Sequence, residues 1–214
     1  HLLKHNKGKG VMIGHMDDMD PRVVTVIGAG VAGTQSILKA IDNKALVKVV
    51  DSSQSKLDDL KSKYGTENVE YILSSKDSIQ VSVNESDLVI GSVYVVGKEA
   101  PKVVTKDMLS SMNPGTVMVD VSIDQGGCFE TSKPTTHDSP TFLENEIVHY
   151  CVTNMPGAVP LTATEALNKV SLSYVENLAN NGIQNALDSD EHLRNGLNIL
   201  DGRIVHPGVK EALE

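Results

Sequence analysis

The sequence has little aromatic character and no excess of positive charge. It contains no tryptophan, its aromatic fraction is 3%, and 19 basic residues stand against 28 acidic ones. A nucleic-acid partner is therefore not expected, because it would require a basic face that displaces counterions and rings on which bases stack. No apolar run reaches the ~18–20 residues of a membrane span, and no signal peptide is recognisable. We therefore predict a cytoplasmic protein without nucleic-acid or membrane partners.

Cysteine is also scarce. Cys128 and Cys151 are the two cysteines of the sequence, and neither belongs to a C-x-x-C pair. This usage predicts reduced thiols and no metal site.

The length of 214 residues is sufficient for a full hydrophobic core and allows one or two domains.

Glycine, by contrast, occurs in an informative arrangement. Residues 23–27 form an apolar, mostly β-branched run that predicts a buried strand, and residues 31–41 predict a helix. Between them Gly28, Gly30 and Gly33 have the G-x-G-x-x-G spacing of a dinucleotide site, which allows a tight turn, close approach of a pyrophosphate and close helix packing. The phosphates would lie at the positive N-terminus of the helix. A structural turn without phosphate is the alternative.

A carboxylate follows the second predicted strand, residues 45–50. Asp51 stands near the position, about 20 residues beyond the glycines, where the fingerprint requires an acceptor for the hydroxyls of the adenine ribose. A carboxylate at this position repels the 2′-phosphate of NADP. The sequence therefore predicts NAD as the cofactor.

Strand and helix patterns alternate through most of the chain, and the continuous apolar runs are typical of strands buried on both faces of a parallel sheet. The predicted fold class is α/β, a Rossmann-type doubly wound, mostly parallel sheet followed by a C-terminal helical segment. We predict a nucleotide-binding domain over residues 1–160 and the helical segment over 161–214, with a long helix from Thr162 to Gly182. Further strands are predicted over 69–73, 87–92, 116–122 and 147–152, and further helices over 52–64, 76–84 and 105–112.

Four polar residues are candidates for chemistry. Asp124 follows the fifth strand, where a carboxylate could orient or protonate a reacting oxygen or stabilise an oxidised nicotinamide; a turn aspartate that caps its own loop is the alternative. Asn154 follows the sixth strand and is either a substrate-positioning amide or a turn residue. His149 alternates with apolar neighbours and is predicted to be packed, and His137 lies in a loop without an obvious partner.

Four stretches together resemble bacterial L-alanine dehydrogenases: residues 26–33, 87–91, 120–137 and 150–160. The sequence IDQGGCFE at residues 123–130 is far more specific than the glycine spacing. The resemblance extends from about Gly8 to the end of the chain. Related transhydrogenase subunits share the nucleotide domain but carry a different sequence at that loop.

The resemblance implies the reversible oxidative deamination of L-alanine by NAD⁺ to pyruvate, ammonium and NADH, in a homo-oligomer, by resemblance a hexamer. It implies that Asp124 is the catalytic aspartate and that Asn154 approaches the substrate. The residues that it implies around the cofactor are Gly28, Gly30, Val31, Ala32, Gly33, Asp51, Lys56, Ser74, Val93, Tyr94, Val121, Ser122, Ile123, Asp124, Lys133, Val152, Thr153, Asn154 and Met155.

Three departures from the family pattern qualify these implications. Lys133 stands where the family usually has arginine, so a point charge replaces a bidentate fork. The lead-in at residues 15–20 lacks the usual glycine and proline. The family's substrate-binding Arg and Lys and its catalytic His belong to a preceding domain, so we expect this chain to bind NAD(H) but to turn over little alanine alone. A non-catalytic dinucleotide-binding module and a transhydrogenase-type NAD-binding subunit are the alternatives.

Overall fold

The computed structural model describes residues 1–14, 19–95 and 99–213. The described chain divides into two compact units, residues 1–95 together with 99–153, and residues 154–213. Most of the unusual lead-in at residues 15–20 lies outside the described residues, as do residues 96–98. The division into domains at residues 160 and 161 stays a prediction.

The first unit is built on a seven-stranded sheet in the order β3-β2-β1-β4-β5-β7-β6. All neighbouring strands pair in parallel except β6, which is antiparallel to β7. This topology confirms the predicted Rossmann-type, mostly parallel α/β fold. The strands are β1 Val23–Ile27, β2 Leu46–Asp51, β3 Val69–Leu73, β4 Leu88–Gly91, β5 Val117–Asp120, β6 Thr141–Glu144 and β7 Ile147–Tyr150.

Helices cover both faces of this sheet. Val24, Val26 and Val49 pack in one apolar cluster with residues of α1 and α2, and Ile27, Val50 and Val89 in another with residues of α3 and α4. Since the central strands β1 and β4 are covered on both faces, their sequences read as mostly apolar runs. The helices of this unit are α1 Val31–Asp42, α2 Gln54–Tyr64, α3 Lys76–Glu85 and α4 Lys106–Leu109.

In this unit one predicted helix is too long and one strand was not predicted. Of the helix predicted over residues 105–112, only α4 is α-helical. The N–H groups of Ser110 and Ser111 donate to carbonyl oxygens three residues earlier, and these bonds tighten the last turn. Strand β6 was not predicted at all. It forms a hairpin with β7 through Asn145 and Glu146, both with positive φ, and its alternation extends over only four residues.

The second unit is helical, as predicted. A long helix, α5 Pro160–Ser189, is broken at Gly182, whose φ of 71° and ψ of 167° are not helical. The helix begins two residues before the predicted Thr162 because proline is favoured in the first turn of a helix. The unit continues with α6 Glu191–Asn195, a hairpin of β8 Ile199–Leu200 and β9 Arg203–Ile204, and α7 Pro207–Leu213. Among the described residues, no helix combines the length and apolar character needed to span a membrane.

Candidate functional site

The carboxyl ends of the central strands lie level with one another. Ile27 pairs with both Val50 and Gly91, and Gly91 pairs with Asp120. The segments that leave these strands therefore meet at one edge of the sheet, where they enclose a crevice of about 750 Å³. Ligands of open α/β sheets bind at such an edge. The crevice is lined by Ile27, Gly28, Gly30, Val31, Ala32, Val50, Asp51, Ser52, Lys56, Ser74, Ser92, Val93, Tyr94, Pro101, Val103, Val121, Ser122 and Gln125.

The glycine turn forms the floor of the crevice. A Cβ atom at Gly33 would lie 1.8 Å from the carbonyl oxygen of Gly28, so α1 can approach the turn this closely only with glycine at position 33. The hydroxyl of Ser92 donates to the same oxygen at 2.6 Å and ties the turn to the end of β4. At Gly30, a Cβ would have no described atom within 4 Å, because it would project into open space.

The N-terminus of α1 opens into the same crevice. Its N-cap residue is Gly30, and within the described chain no side chain bonds to the free N–H groups of its first turn. The next residue, Val31, lines the crevice although it is 88% exposed. Free N–H groups at the positive end of a helix, beside a glycine that leaves room, fit the pyrophosphate of a dinucleotide.

Asp51 marks one end of the crevice. The carboxylate is buried, and it accepts hydrogen bonds from the backbone N–H groups of Ala29 at 2.7 Å and Ser53 at 2.9 Å. The ammonium group of Lys56 lies 3.3 Å from the same carboxylate. Asp51 thus holds the glycine turn from the side of β2 and presents its oxygens where the adenine ribose of a dinucleotide is expected.

The opposite end of the crevice is formed by the segments that follow β4 and β5. The N–H of Val121 donates to the carbonyl of Gly91 at 2.8 Å, and the hydroxyl of Ser122 donates to the carbonyl of Val93 at 2.7 Å. Tyr94 completes this end and is 61% exposed. Because the strand order runs from β2 through β1 to β5, a dinucleotide with its adenosine at Asp51 would place its nicotinamide here.

Asp124 lies just beyond this end, in a short 3-10 helix, Ile123–Gln125. Its side chain is exposed and does not line the crevice, whereas Ser122 and Gln125 on either side do. The ammonium group of Lys102 donates to the carbonyl oxygens of Gly126 and Gly127 and so holds the loop immediately after Asp124.

Sequence reasoning missed Asp120, the last residue of β5. Its side chain is completely buried at the base of the loop that carries Asp124, where it accepts hydrogen bonds from backbone N–H groups and side chains of that loop. The available signal was a carboxylate at the end of an otherwise apolar strand, which is costly to bury unless it is hydrogen-bonded.

The other predicted site residues lie outside the crevice lining. Gly33 packs beneath the turn, and Ile123 is buried behind Asp124. The ammonium group of Lys133 lies 4.0 Å from Glu144 and over the ring of Phe142. Val152 is buried and pairs with Thr135, Thr153 follows it, and Asn154 and Met155 begin the second unit. The lining residues that were not predicted are Ile27, Val50, Ser52, Ser92, Pro101, Val103 and Gln125.

The remaining candidate histidines and the two cysteines lie outside the crevice lining. His149 is buried, as predicted, and its ring contacts the hydroxyl of Thr131 and the carbonyl of Ile147. Burial lowers the pKa of His149, which disfavours a charged, proton-donating ring. Burial also raises the pKa of Cys128 and Cys151, so both remain thiols. His137 is exposed on its loop.

Comparison with known proteins adds a second line of evidence. An alanine dehydrogenase of Halomonas elongata is 47% identical over 211 residues, which are 99% of this chain and 57% of that protein. Alanine dehydrogenase 2 of Staphylococcus aureus is 44% identical over 214 residues, all of this chain and 57% of that protein. The chain therefore spans little more than half the length of these relatives.

Solved structures agree with the sequence relatives. A structure of an L-alanine dehydrogenase superposes with a TM-score of 0.88 at 42% identity, over 99% of this chain and 58% of that one. A transhydrogenase from Sinorhizobium meliloti superposes with a TM-score of 0.74 over 90% of this chain and 56% of that one, but at 22% identity it supports the fold alone. Residues 1–207 match the family described as alanine dehydrogenase/PNT, C-terminal domain, and this chain belongs to that family.

Proposed function

We propose that the crevice binds NAD(H) and that this chain supplies the cofactor half of an alanine dehydrogenase site. The reaction is the reversible oxidative deamination of L-alanine to pyruvate and ammonium. The observation that carries the proposal is the joint presence, around one crevice, of the glycine turn, the open N-terminus of α1 and the buried Asp51. Membership of the alanine dehydrogenase/PNT family supports the choice of reaction.

Each part of the crevice has a role in binding. Gly30 leaves space for the pyrophosphate, and the free N–H groups of α1 donate to its oxygens. Asp51 accepts from the hydroxyls of the adenine ribose, beside Lys56 and with Ser74 near the adenine. Val93 and Ser122 hold the nicotinamide end.

When bound, NAD⁺ supplies the acceptor for a hydride from Cα of alanine. The groups of this chain that serve the substrate are Asp124 and Asn154. Asp124 lies just beyond the end of the crevice that we assign to the nicotinamide, between the lining residues Ser122 and Gln125, and from there we propose that its carboxylate orients or receives a proton from a reacting group. The product imine adds water and releases ammonia, which leaves pyruvate. Asn154 would contribute an amide to the substrate.

Two wider properties belong to the same proposal. We propose a homo-oligomer, by resemblance a hexamer, and a cytoplasmic location. A non-catalytic dinucleotide-binding module remains the alternative function from another class. A transhydrogenase-type subunit shares the fold, but its relative is much less similar in sequence than the alanine dehydrogenases.

Titration of the 214-residue chain with NADH and with NADPH, followed by calorimetry, tests the cofactor assignment. We expect saturable binding of NADH and at least about tenfold weaker binding of NADPH, because the 2′-phosphate would meet the carboxylate of Asp51. Absence of NADH binding would overturn the proposal, and equal affinities would overturn the choice of NAD over NADP.

A second measurement addresses the reaction. The chain incubated with L-alanine and NAD⁺ is expected to form little NADH by itself, since we assign it only the cofactor half of the site. Steady formation of NADH at the rate of a complete enzyme would contradict that assignment. If a longer form of the protein binds NADH but L-alanine and pyruvate do not change that binding, the non-catalytic module is favoured.

A further inference from the structure

We infer that Asp120 is a positioning residue for the nicotinamide half of the crevice. This inference rests on the proposed function. Asp120 touches neither the crevice nor the reacting atoms; it acts through the loop of residues 121–132, which lines one end of the crevice and carries Asp124.

The side chain of Asp120 is the centre of that loop. Its Oδ1 accepts from the backbone N–H of Ser122 at 3.0 Å, and its Oδ2 accepts from the backbone N–H groups of Cys128 at 2.8 Å and Phe129 at 3.2 Å. The hydroxyl of Ser132 donates to Oδ2 at 2.5 Å. One buried carboxylate therefore joins both ends of the loop.

The geometry requires a carboxylate at this position. Donors converge on both oxygens, and the thiol of Cys128 adds a further one at 3.5 Å from Oδ1. An asparagine has one acceptor oxygen and one NH₂ group, so its NH₂ would face N–H or O–H donors. Gly127 belongs to the same arrangement, because a Cβ there would lie 2.8 Å from Oδ2 of Asp120.

The loop is held from its outer side as well. Lys102 donates to the carbonyl of Gly127 at 2.6 Å, and the N–H of Ala100 donates to the carbonyl of Gln125 at 2.9 Å. These contacts fix the middle of the loop, whereas Asp120 fixes its beginning and its end. Loss of the Asp120 contacts would thus free the N–H of Ser122, two residues before Asp124, and leave only its hydroxyl bond to Val93 to hold its side chain.

The loop that Asp120 holds should therefore affect the binding of only one half of the cofactor. The adenosine and pyrophosphate contacts lie at Asp51, Gly30 and the N-terminus of α1, whereas Val121 and Ser122 lie at the nicotinamide end. Disturbing Asp120 should weaken contacts to the nicotinamide half and leave those to the other half in place. A merely structural role would weaken both equally or neither.

The experiment compares Asp120→Asn with the unaltered chain in calorimetric titrations with NADH and with ADP-ribose, which lacks the nicotinamide. We expect the dissociation constant for NADH to rise at least about tenfold, as for loss of a charged hydrogen bond, and that for ADP-ribose to change less than about twofold. Parallel weakening of both ligands, or no weakening of NADH, would overturn the inference.

Asp87→Asn is the matched control. Asp87 is also a buried aspartate, and it accepts from the backbone N–H of Val23 at 3.1 Å and from Lys9 at 2.8 Å. It lies just before β4, at the edge of the sheet opposite to the crevice. Its replacement should lower stability and leave the ratio of the two dissociation constants unchanged. A changed ratio in this control would also overturn the inference.

Ser132→Ala provides a milder version if Asp120→Asn does not fold. It removes one donor to Asp120 and leaves the charge in place. We expect NADH binding to weaken about threefold with ADP-ribose binding unaltered. An unchanged ratio would count against the inference. If the unaltered chain does not bind NADH at all, the proposed function and this inference are both overturned. If it binds NADH but the variants do not change the ratio of the two dissociation constants, the inference alone is overturned.

Discussion

The carboxylate of Asp51 accepts a hydrogen bond of 2.7 Å from the backbone N–H of Ala29, the residue between the first two glycines of the turn. The carboxylate at the end of β2 is therefore part of the glycine turn and also faces the crevice. A residue that sequence analysis selects for ribose recognition thus has a second task, the support of the turn over which the pyrophosphate would pass.

This double role predicts the behaviour of Asp51→Asn. The amide retains one oxygen for the N–H of Ala29, so the turn should remain folded, although the bond from the N–H of Ser53 and the negative charge beside Lys56 are lost. We expect NADH to bind about tenfold more weakly and NADPH to bind as well as or better than before, because Lys56 can then pair with a 2′-phosphate. Parallel titrations with NADH and NADPH measure the change in preference.

Asp58→Asn is the control for charge alone. Asp58 lies on the same helix as Lys56, it is exposed, and its carboxylate bonds to Gln54. Its replacement removes the same charge without touching the crevice lining. An equal shift of preference in both variants would contradict the specific role of Asp51.

The second and third glycines of the motif, Gly30 and Gly33, should respond differently to alanine. A methyl group at Gly33 would lie 1.8 Å from the carbonyl oxygen of Gly28, so Gly33→Ala should lower the free energy of unfolding by about 1–3 kcal/mol, as overpacking does. At Gly30 a methyl group meets no described atom, so the stability of Gly30→Ala should change by less than about 1 kcal/mol.

Binding separates these variants further. Gly30→Ala should nevertheless weaken NADH binding at least about tenfold, because its methyl group would occupy the space over the turn. Urea unfolding and calorimetric titration of both variants check the two expectations. Unaltered NADH binding by Gly30→Ala would show that the pyrophosphate does not pass over this residue.

The two cysteines offer a simpler check of burial. Cys128 and Cys151 are completely buried, and burial raises the pKa of both thiols. Because the thiolate is the reactive form, neither should react at a measurable rate with an aromatic disulfide reagent at neutral pH. Both should react promptly once urea unfolds the chain. Rapid modification of the native protein would contradict the packing around Asp120 and Ser132.

The elements around the glycine turn could be predicted from the sequence because local patterns determine them. Strand β1 and helix α1 follow from an apolar β-branched run, three glycines and a helical period. The hairpin of β6 could not be predicted in this way, because a four-residue edge strand has little pattern of its own and depends on pairing with β7.

The site could be predicted where the type and sequence position of a single residue indicate its role. Glycines and terminal carboxylates such as Asp51 did so, whereas Val50 and Val103 line the crevice only because of how strands and loops come together. Asp120 illustrates the same limit. Its position in the sequence resembles that of Asp51, but its oxygens face a loop that folds back from residues 128–132, which no local pattern shows.

His149 predicts a dependence of stability on pH. Its ring is buried against Phe142; the carbonyl of Ile147 can only accept, so Nδ1 is assigned the proton and Nε2 accepts from the hydroxyl of Thr131. Burial lowers the pKa of His149 in the folded state. The unfolded chain, with a histidine pKa near the usual ~6.5, then binds the proton more readily than the folded one.

The contribution of His149 is therefore fully present above about pH 6.5 and is lost as the pH falls towards the lowered pKa of the folded state. Urea unfolding at about pH 7.5 and about pH 5.5 should show a loss of roughly 1 kcal/mol from this residue. The contribution of His149 is the change in the free energy of unfolding between these two pH values in the unaltered chain, minus the same change in His149→Gln. The contributions of the carboxylates cancel in this difference. His137→Gln, at an exposed position, is the matched control and should keep the full pH dependence. If His149→Gln shows the same change with pH as the unaltered chain, the buried ring does not carry the effect, because a neutral amide cannot take up the proton that the unfolded histidine binds.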